Sequence, residues 1–100
     1  MHAARMPDIV FSLAGHDKGR TYVVLETDGD FARLVDGKIR KLNNPKKKSL
    51  KHLVLGKMGS QELAAALDGG RATDSAIRIE LAKFRFEARM TEEGREFVKR

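Results

Sequence analysis

Ile9–Val24, IVFSLAGHDKGRTYVV, decides how the rest of the chain is read. Ile9, Val10, Phe11 and Leu13 supply the β-branched and aromatic bulk of a strand, and Thr21, Tyr22, Val23 and Val24 begin a second one. Between them Gly15 and Gly19 bracket His16-Asp17-Lys18, a loop with charge and no apolar side chain. Glycines at both ends allow positive φ and close backbone approach, which a loop gripping an anionic backbone requires. The same arrangement also serves as an ordinary hairpin connection in an all-β domain.

Downstream of this unit the pattern stays β. The second strand is expected over about Arg20 to Glu26, followed by the turn Thr27-Asp28-Gly29-Asp30. Phe31 to Val35 forms a third strand that ends on Asp36-Gly37, the dipeptide of a two-residue type I′ hairpin. Lys38-Ile39-Arg40-Lys41-Leu42 is then the returning strand, broken by Asn43-Asn44-Pro45. The basic run Lys46-Lys47-Lys48 leads through Ser49, Leu50, Lys51 and His52 into an apolar closing strand at Leu53, Val54 and Leu55. Five short strands with tight turns predict a small barrel, which removes sheet edges by closing on itself.

From Ser60 the hydrophobic period changes. Ser60 is a good N-cap, Glu62 sits in the first turn, and Leu63, Ala64 and Leu67 recur at helical spacing before Gly69-Gly70. A second segment opens at Thr73 or Asp74 and carries Ile77, Leu81, Phe84 and Ala88 on one stripe. Alternation of Ile77, Ile79 and Leu81, then Phe84 and Phe86, argues for a strand instead. The abundance of Ala, Leu, Lys, Glu and Arg decides for helix. The expected organisation is a disordered lead over 1–7, a barrel over 8–56 and a helical appendage of one or two short helices over 57–100, frayed at its end. The fold class is thus mainly β with C-terminal α.

Composition narrows the function. The 100 residues suit one domain, and 20 Lys and Arg against 14 Asp and Glu give a formal charge of +6, favouring anionic partners. With no cysteine, disulfides, cysteine-ligated zinc and thiol catalysis are excluded. His2, His16 and His52 are too few and too scattered for a metal site, and no cofactor is implied. Gly15–Gly19 lacks the Gly-Lys-Ser/Thr ending of a Walker-type loop, and no nucleophile elbow accompanies His16-Asp17, so no enzymatic activity and no small-molecule substrate are expected. The start has no apolar core of a signal peptide and no run is long enough to span a membrane, so the expected location is cytoplasmic.

The cations are unevenly spread. Lys18 and Arg20 flank the first loop, Arg33, Lys38, Arg40 and Lys41 follow, and Lys46, Lys47, Lys48 and Lys51 come with His52 beside them. Glu26, Asp28, Asp30 and Asp36 gather at the turns. Such segregation points to a basic side that meets phosphates by Coulomb attraction and counterion release, against the alternative of a solvated lysine tract. Tyr22 and Phe31 are the aromatic candidates for stacking on an unpaired base, although strand aromatics more often serve the core.

The stretch AGHDKG resembles the KOW motif of ribosomal and transcription-associated proteins. The succession AGHDKG, LVDGKIRKL and NPKKKSLKHL, over about Asp8 to Leu55, is similar to bacterial KOW-domain RNA-binding proteins, related to archaeal and eukaryotic large-subunit ribosomal proteins of the fourteen-e type. The resemblance implies an SH3-like barrel, no catalysis, and RNA, most of all ribosomal RNA, as partner, with ribosomal proteins nearby. Carried onto matching positions, the implied RNA contacts are His16, Lys18, Arg20, Lys38, Arg40, Lys46, Lys47, Lys48, Lys51 and His52. The segment after Gly56 departs from the longer, more basic helices of the ribosomal relatives, so an accessory, translation-related role is expected at least as much as incorporation as a structural ribosomal protein. The alternative is an SH3-like protein-interaction module that docks a translation or transcription factor without touching nucleic acid.

Overall fold

The computed structural model describes the backbone of residues 5–99 and the side chains of residues 5–90. The elements are β1 (Ile9–Ser12), β2 (Thr21–Asp28), β3 (Phe31–Val35), β4 (Lys46–Ser49), a 3-10 turn at Leu50–His52, β5 (Leu53–Lys57), α1 (Gln61–Asp68) and α2 (Asp74–Lys99). All strands pair antiparallel in one sheet of order β4-β3-β2-β1-β5. Among the described residues no ladder joins β4 to β5, so the sheet is not closed by hydrogen bonds. The expected lead at 1–4 lies outside the described residues, whereas Arg5 to Asp8 form a turn closed by Asp8 N–H on the Arg5 carbonyl at 2.7 Å.

Both faces of the central strands are buried, and strand alternation sorts their side chains. Ile9, Val23 and Val35 point to one face, where Leu63 of α1 and Ile77, Leu81 and Phe84 of α2 cover them, with Phe11, Leu25, Leu42 and Leu67 at the margin. Val10, Tyr22, Val24, Ala32 and Leu34 point to the other, packed by Leu50 and Leu53 from the link into β5. The helical segment therefore meets the sheet through the expected residues Leu63, Leu67, Ile77, Leu81 and Phe84.

Three expectations need correction. Lys38–Leu42 is not a strand, because its backbone donors are taken locally. Asp36 Oδ1 accepts the N–H groups of Lys38 and Arg40 at 2.9 and 2.8 Å, and Leu42 N–H goes to Asp74 Oδ1 at 2.8 Å. Short polar side chains compete with a ladder in this way, and here they hold residues 36–45 as a loop. The strand that returns along β3 is the lysine run itself, paired Arg33 with Lys47 and Leu34 with Lys46. Finally, the second helix is not short: α2 spans 26 residues. The expectation of a frayed end concerns residues 91–100, whose side chains lie outside the described residues.

Helix starts follow their caps. Ser60 Oγ accepts Leu63 N–H at 3.1 Å, and Ser60 in turn donates to Glu80 of α2 from both its N–H and its hydroxyl, which ties the two helices together. Thr73 caps α2 through Ala76 N–H at 3.1 Å. The alternation that suggested a strand over 77–86 resolves into two helix faces, with Ile77, Leu81 and Phe84 buried and Ile79 and Phe86 exposed.

The loop after β3 meets α2 at Gly37, which has φ +77° and lies so close to the helix that a Cβ would overlap the Asp74 carbonyl oxygen. Replacing Gly37 with Val is expected to cost about 3 kcal/mol or more, because left-handed strain and steric overlap add. Gly19→Ala, at φ +87° with nothing within 4 Å, should cost only the backbone term of about 1 to 2 kcal/mol. Urea unfolding of the two variants checks the ranking.

Candidate nucleic-acid interface

The loop Leu13–Arg20 is organised by one buried carboxylate. Asp17 receives the Tyr22 hydroxyl at 3.0 Å on Oδ2 and Lys48 Nζ at 2.9 Å on Oδ1, and Lys46 Nζ stands 3.4 Å from Oδ2. Ser12 Oγ lies 2.9 Å from Oδ1 and 3.1 Å from the Ala14 carbonyl, its single proton serving one acceptor at a time. Lys48 also donates to that carbonyl at 2.8 Å. Burial by itself would raise the Asp17 carboxyl. Hydrogen bonds from Lys48, Ser12 and Tyr22 and the Lys46 charge outweigh it and hold the group well below the usual carboxylate range. Tyr22 moves the other way: burial, then the hydrogen bond to Asp17 and its negative charge, push the phenol up to about 12.

This network redistributes the lysine run. Because Lys46–Ser49 is a strand, its side chains alternate, sending Lys46 and Lys48 inward to Asp17 and Lys47 outward. Lys47 Nζ sits 4.5 Å from the centroid of the Phe31 ring. His16 and Lys18 are exposed on the loop, Lys51 is exposed on the 3-10 turn, and His52 is half-buried, its carbonyl accepting Leu13 N–H at 2.8 Å.

Two expected residues converge with two unexpected ones. Arg20, just before β2, and Lys38, in the loop after β3, border a cleft of about 560 Å³ whose other wall is α2, with Arg78 and Arg85. Among the described residues Asp36 is the one carboxylate on the lining, against four cations. Phe11 and Leu81 add apolar surface to its lining. Arg78 Nη1 donates to the Gly37 carbonyl at 2.6 Å, and Arg85 Nη1 to Thr21 Oγ1 at 3.2 Å. These bonds aim both guanidiniums at the cleft and leave most of their five donors unused. Among the described residues the side chains of Arg20 and Lys38 make no hydrogen bond or ion pair. Arg40, by contrast, is half-buried at the loop's return, where its carbonyl accepts from Asp36 and Gly37.

Arg78 and Arg85 were not singled out by the sequence reading, although a signal exists. They stand seven residues apart, on one helix face, each one position beyond a buried residue of the Ile77/Phe84 stripe. Residues there flank the buried seam and reach past it to the neighbouring strand ends.

Cationic chemistry is what this surface offers: a bidentate guanidinium matches two oxygens of a phosphate, and a lysine adds a point charge. Among the described residues no group of three or more His, Asp or Glu could hold a metal ion, and no helix is long and apolar enough to cross a membrane. No protein-family model matches the sequence, and no curated protein matches it either.

The Asp17 network generates a pH prediction. A depressed carboxyl contributes stability that is fully present above its unfolded value of about 3.9 and is lost as pH falls below that. Asp17→Asn is expected to be less stable than wild type at neutral pH, with the gap narrowing below about pH 4. Tyr22 gives the alkaline limb, where stability present below pH 10 declines toward 12 and Tyr22→Phe removes that decline. Asp17→Ala, which leaves Lys48 facing the interior unpaired, should cost about 3 kcal/mol. Thermal melts across pH check all three.

Proposed function

We propose that the chain is a non-catalytic RNA-binding module of KOW type, built on an SH3-like barrel and acting in translation, with ribosomal RNA as the leading partner. The observation that carries this reading is the cleft where Arg20, Lys38, Arg78 and Arg85 converge against a single carboxylate. Four cations around one concavity, three of them arginines with donors to spare, suit consecutive phosphates of a nucleic-acid backbone. RNA rather than DNA rests on the KOW resemblance of AGHDKG. The barrel reading is supported by the connection of the edges. β4 and β5 lie at opposite ends of the sheet order, yet only the three residues Leu50–His52 link them, so the sheet must curl until its edges approach. Leu50 and Leu53 then fill the inside of that curl.

A protein-docking reading has one observation in its favour. The outward face of α2 leaves Ile79, Phe86 and Met90 exposed, with a shallow depression beside Ala82 and Phe86.

The test compares two pairs of variants for binding to a ribosomal RNA fragment over a salt series. Arg20→Ala with Lys38→Ala is expected to weaken binding and flatten the log-log salt slope by about 1 to 2 units, near 0.7 to 0.9 per phosphate lost. Lys46→Met with Lys48→Met should instead lower the melting temperature and change the slope little, since both amines already serve Asp17. No measurable affinity in the wild type, or a slope that ignores Arg20 and Lys38, would give the protein-docking reading precedence.

A further inference from the structure

We infer that Phe31, with the depression beside it, is a stacking site for one unpaired nucleobase, so that the RNA bound is single-stranded there. The inference rests on the RNA-binding reading above and goes beyond it, because a basic cleft alone accepts paired and unpaired strands alike.

The two strand aromatics behave oppositely. Tyr22 is buried with its hydroxyl on Asp17, which leaves no face for a ligand. Phe31 opens β3 at the tip of the β2–β3 hairpin, is 41% exposed, and belongs to neither hydrophobic cluster. An aromatic ring left half in water contributes little to folding, yet its mount is firm. Phe31 pairs with Asp28 on one side and Ser49 on the other, and the Leu50 N–H closes on the Asp30 carbonyl at 2.8 Å. A ring held on a rigid sheet loses little entropy when a base settles on it.

Its surroundings suit a nucleotide. Lys47 Nζ stands over one face of the ring at 4.5 Å, so a base takes the other face or displaces the ammonium, and a depression of about 320 Å³ opens beside the ring, bordered by Asp30, Ser49, Leu50 and Lys51. Leu50 offers apolar contact to a base plane, Asp30 and Ser49 offer polar atoms to a base edge, and Lys47 and Lys51 meet the flanking phosphates. Stacking demands a free π-face, which a base inside a duplex does not present. The platform and the cleft sit at opposite ends of β3, Phe31 at its start and Asp36 just past its end, roughly 17 Å along the strand. A strand of a few nucleotides reaches from one to the other.

The experiment uses the full chain and two probes: a uridine oligomer of about twelve nucleotides carrying one 2-aminopurine, and an RNA duplex of similar length. Stacking contributions of the usual size predict that Phe31→Ala weakens single-strand binding about five- to hundredfold and abolishes the fluorescence change of 2-aminopurine. Duplex binding and the melting temperature should hold. Phe31→Leu keeps apolar bulk without the π-face and should resemble the Ala variant, while Phe31→Tyr restores binding. Single-strand affinity that ignores Phe31→Ala, or equal weakening on both probes, overturns the stacking site while leaving the RNA-binding reading in place. A wild-type chain that binds neither probe removes that reading and the stacking site with it.

Discussion

A carboxylate inside a protein must be paired or give up its charge, and Asp17 is paired on every side. Its partners come from β1, β2 and β4, so one side chain fixes where the Leu13–Arg20 loop lies relative to three strands. The strand β4 itself depends on this. Lys46-Lys47-Lys48 has poor β-propensity and strong self-repulsion, and two of its three ammonium groups can turn inward only because Asp17 waits on the inner face, holding both and offsetting one of their charges. The third leans over Phe31. A segment that in isolation would be a solvated tract becomes the edge of a sheet.

The second constraint is the seating of α2. Burial of Ile77, Leu81 and Phe84 against Ile9, Val23 and Val35 supplies much of the apolar contact of a small, aliphatic core. Polar ties on both flanks accompany this packing, among them Asp74 on Leu42 N–H, Arg78 on the Gly37 carbonyl, and the exposed pair of Lys57 with Glu87 at 2.9 Å. The first two sit on the side of the loop after β3 and the third on the side of β5, so the helix is held from both flanks. That placement puts Arg78 and Arg85 beside Arg20 and Lys38. The cleft is thus a product of core packing rather than of any one motif.

Much of the fold was legible because its signals are local. Strand alternation in Ile9–Val24 and Phe31–Val35, the Ser60 cap and the Ile77/Leu81/Phe84 stripe each depend on residues within a turn or two of one another. Misreadings arose where a distant partner overrides local propensity. Asp36-Gly37 carries the sequence of a tight hairpin, but the Asp36 side chain and the approach of α2 draw the chain into a longer loop. The lysine run read as a phosphate-facing loop because nothing near it in sequence shows that Asp17, about thirty residues away, holds two of its ammonium groups. Of the ten residues the motif resemblance singled out, Arg20 and Lys38 reach the cleft, while Lys46 and Lys48 turn inward.

Pairing of Lys46 and Lys48 also sharpens what the remaining charge can do. A formal charge of +6 spread over a small surface would attract any polyanion without preference of place. Once Asp17 offsets part of the lysine run, and Arg33 is held by Glu26 at 2.8 Å, the cations without a close carboxylate partner are fewer and better placed. Arg20 and Lys38 share a cleft with Arg78 and Arg85, and Lys47 and Lys51 flank the one exposed strand aromatic. Internal ion pairs act here as a filter on the surface field. By drawing Lys46, Lys48 and Arg33 onto carboxylates they thin the general field, so that the cations around the cleft and those beside Phe31 stand out as two clusters at opposite ends of β3.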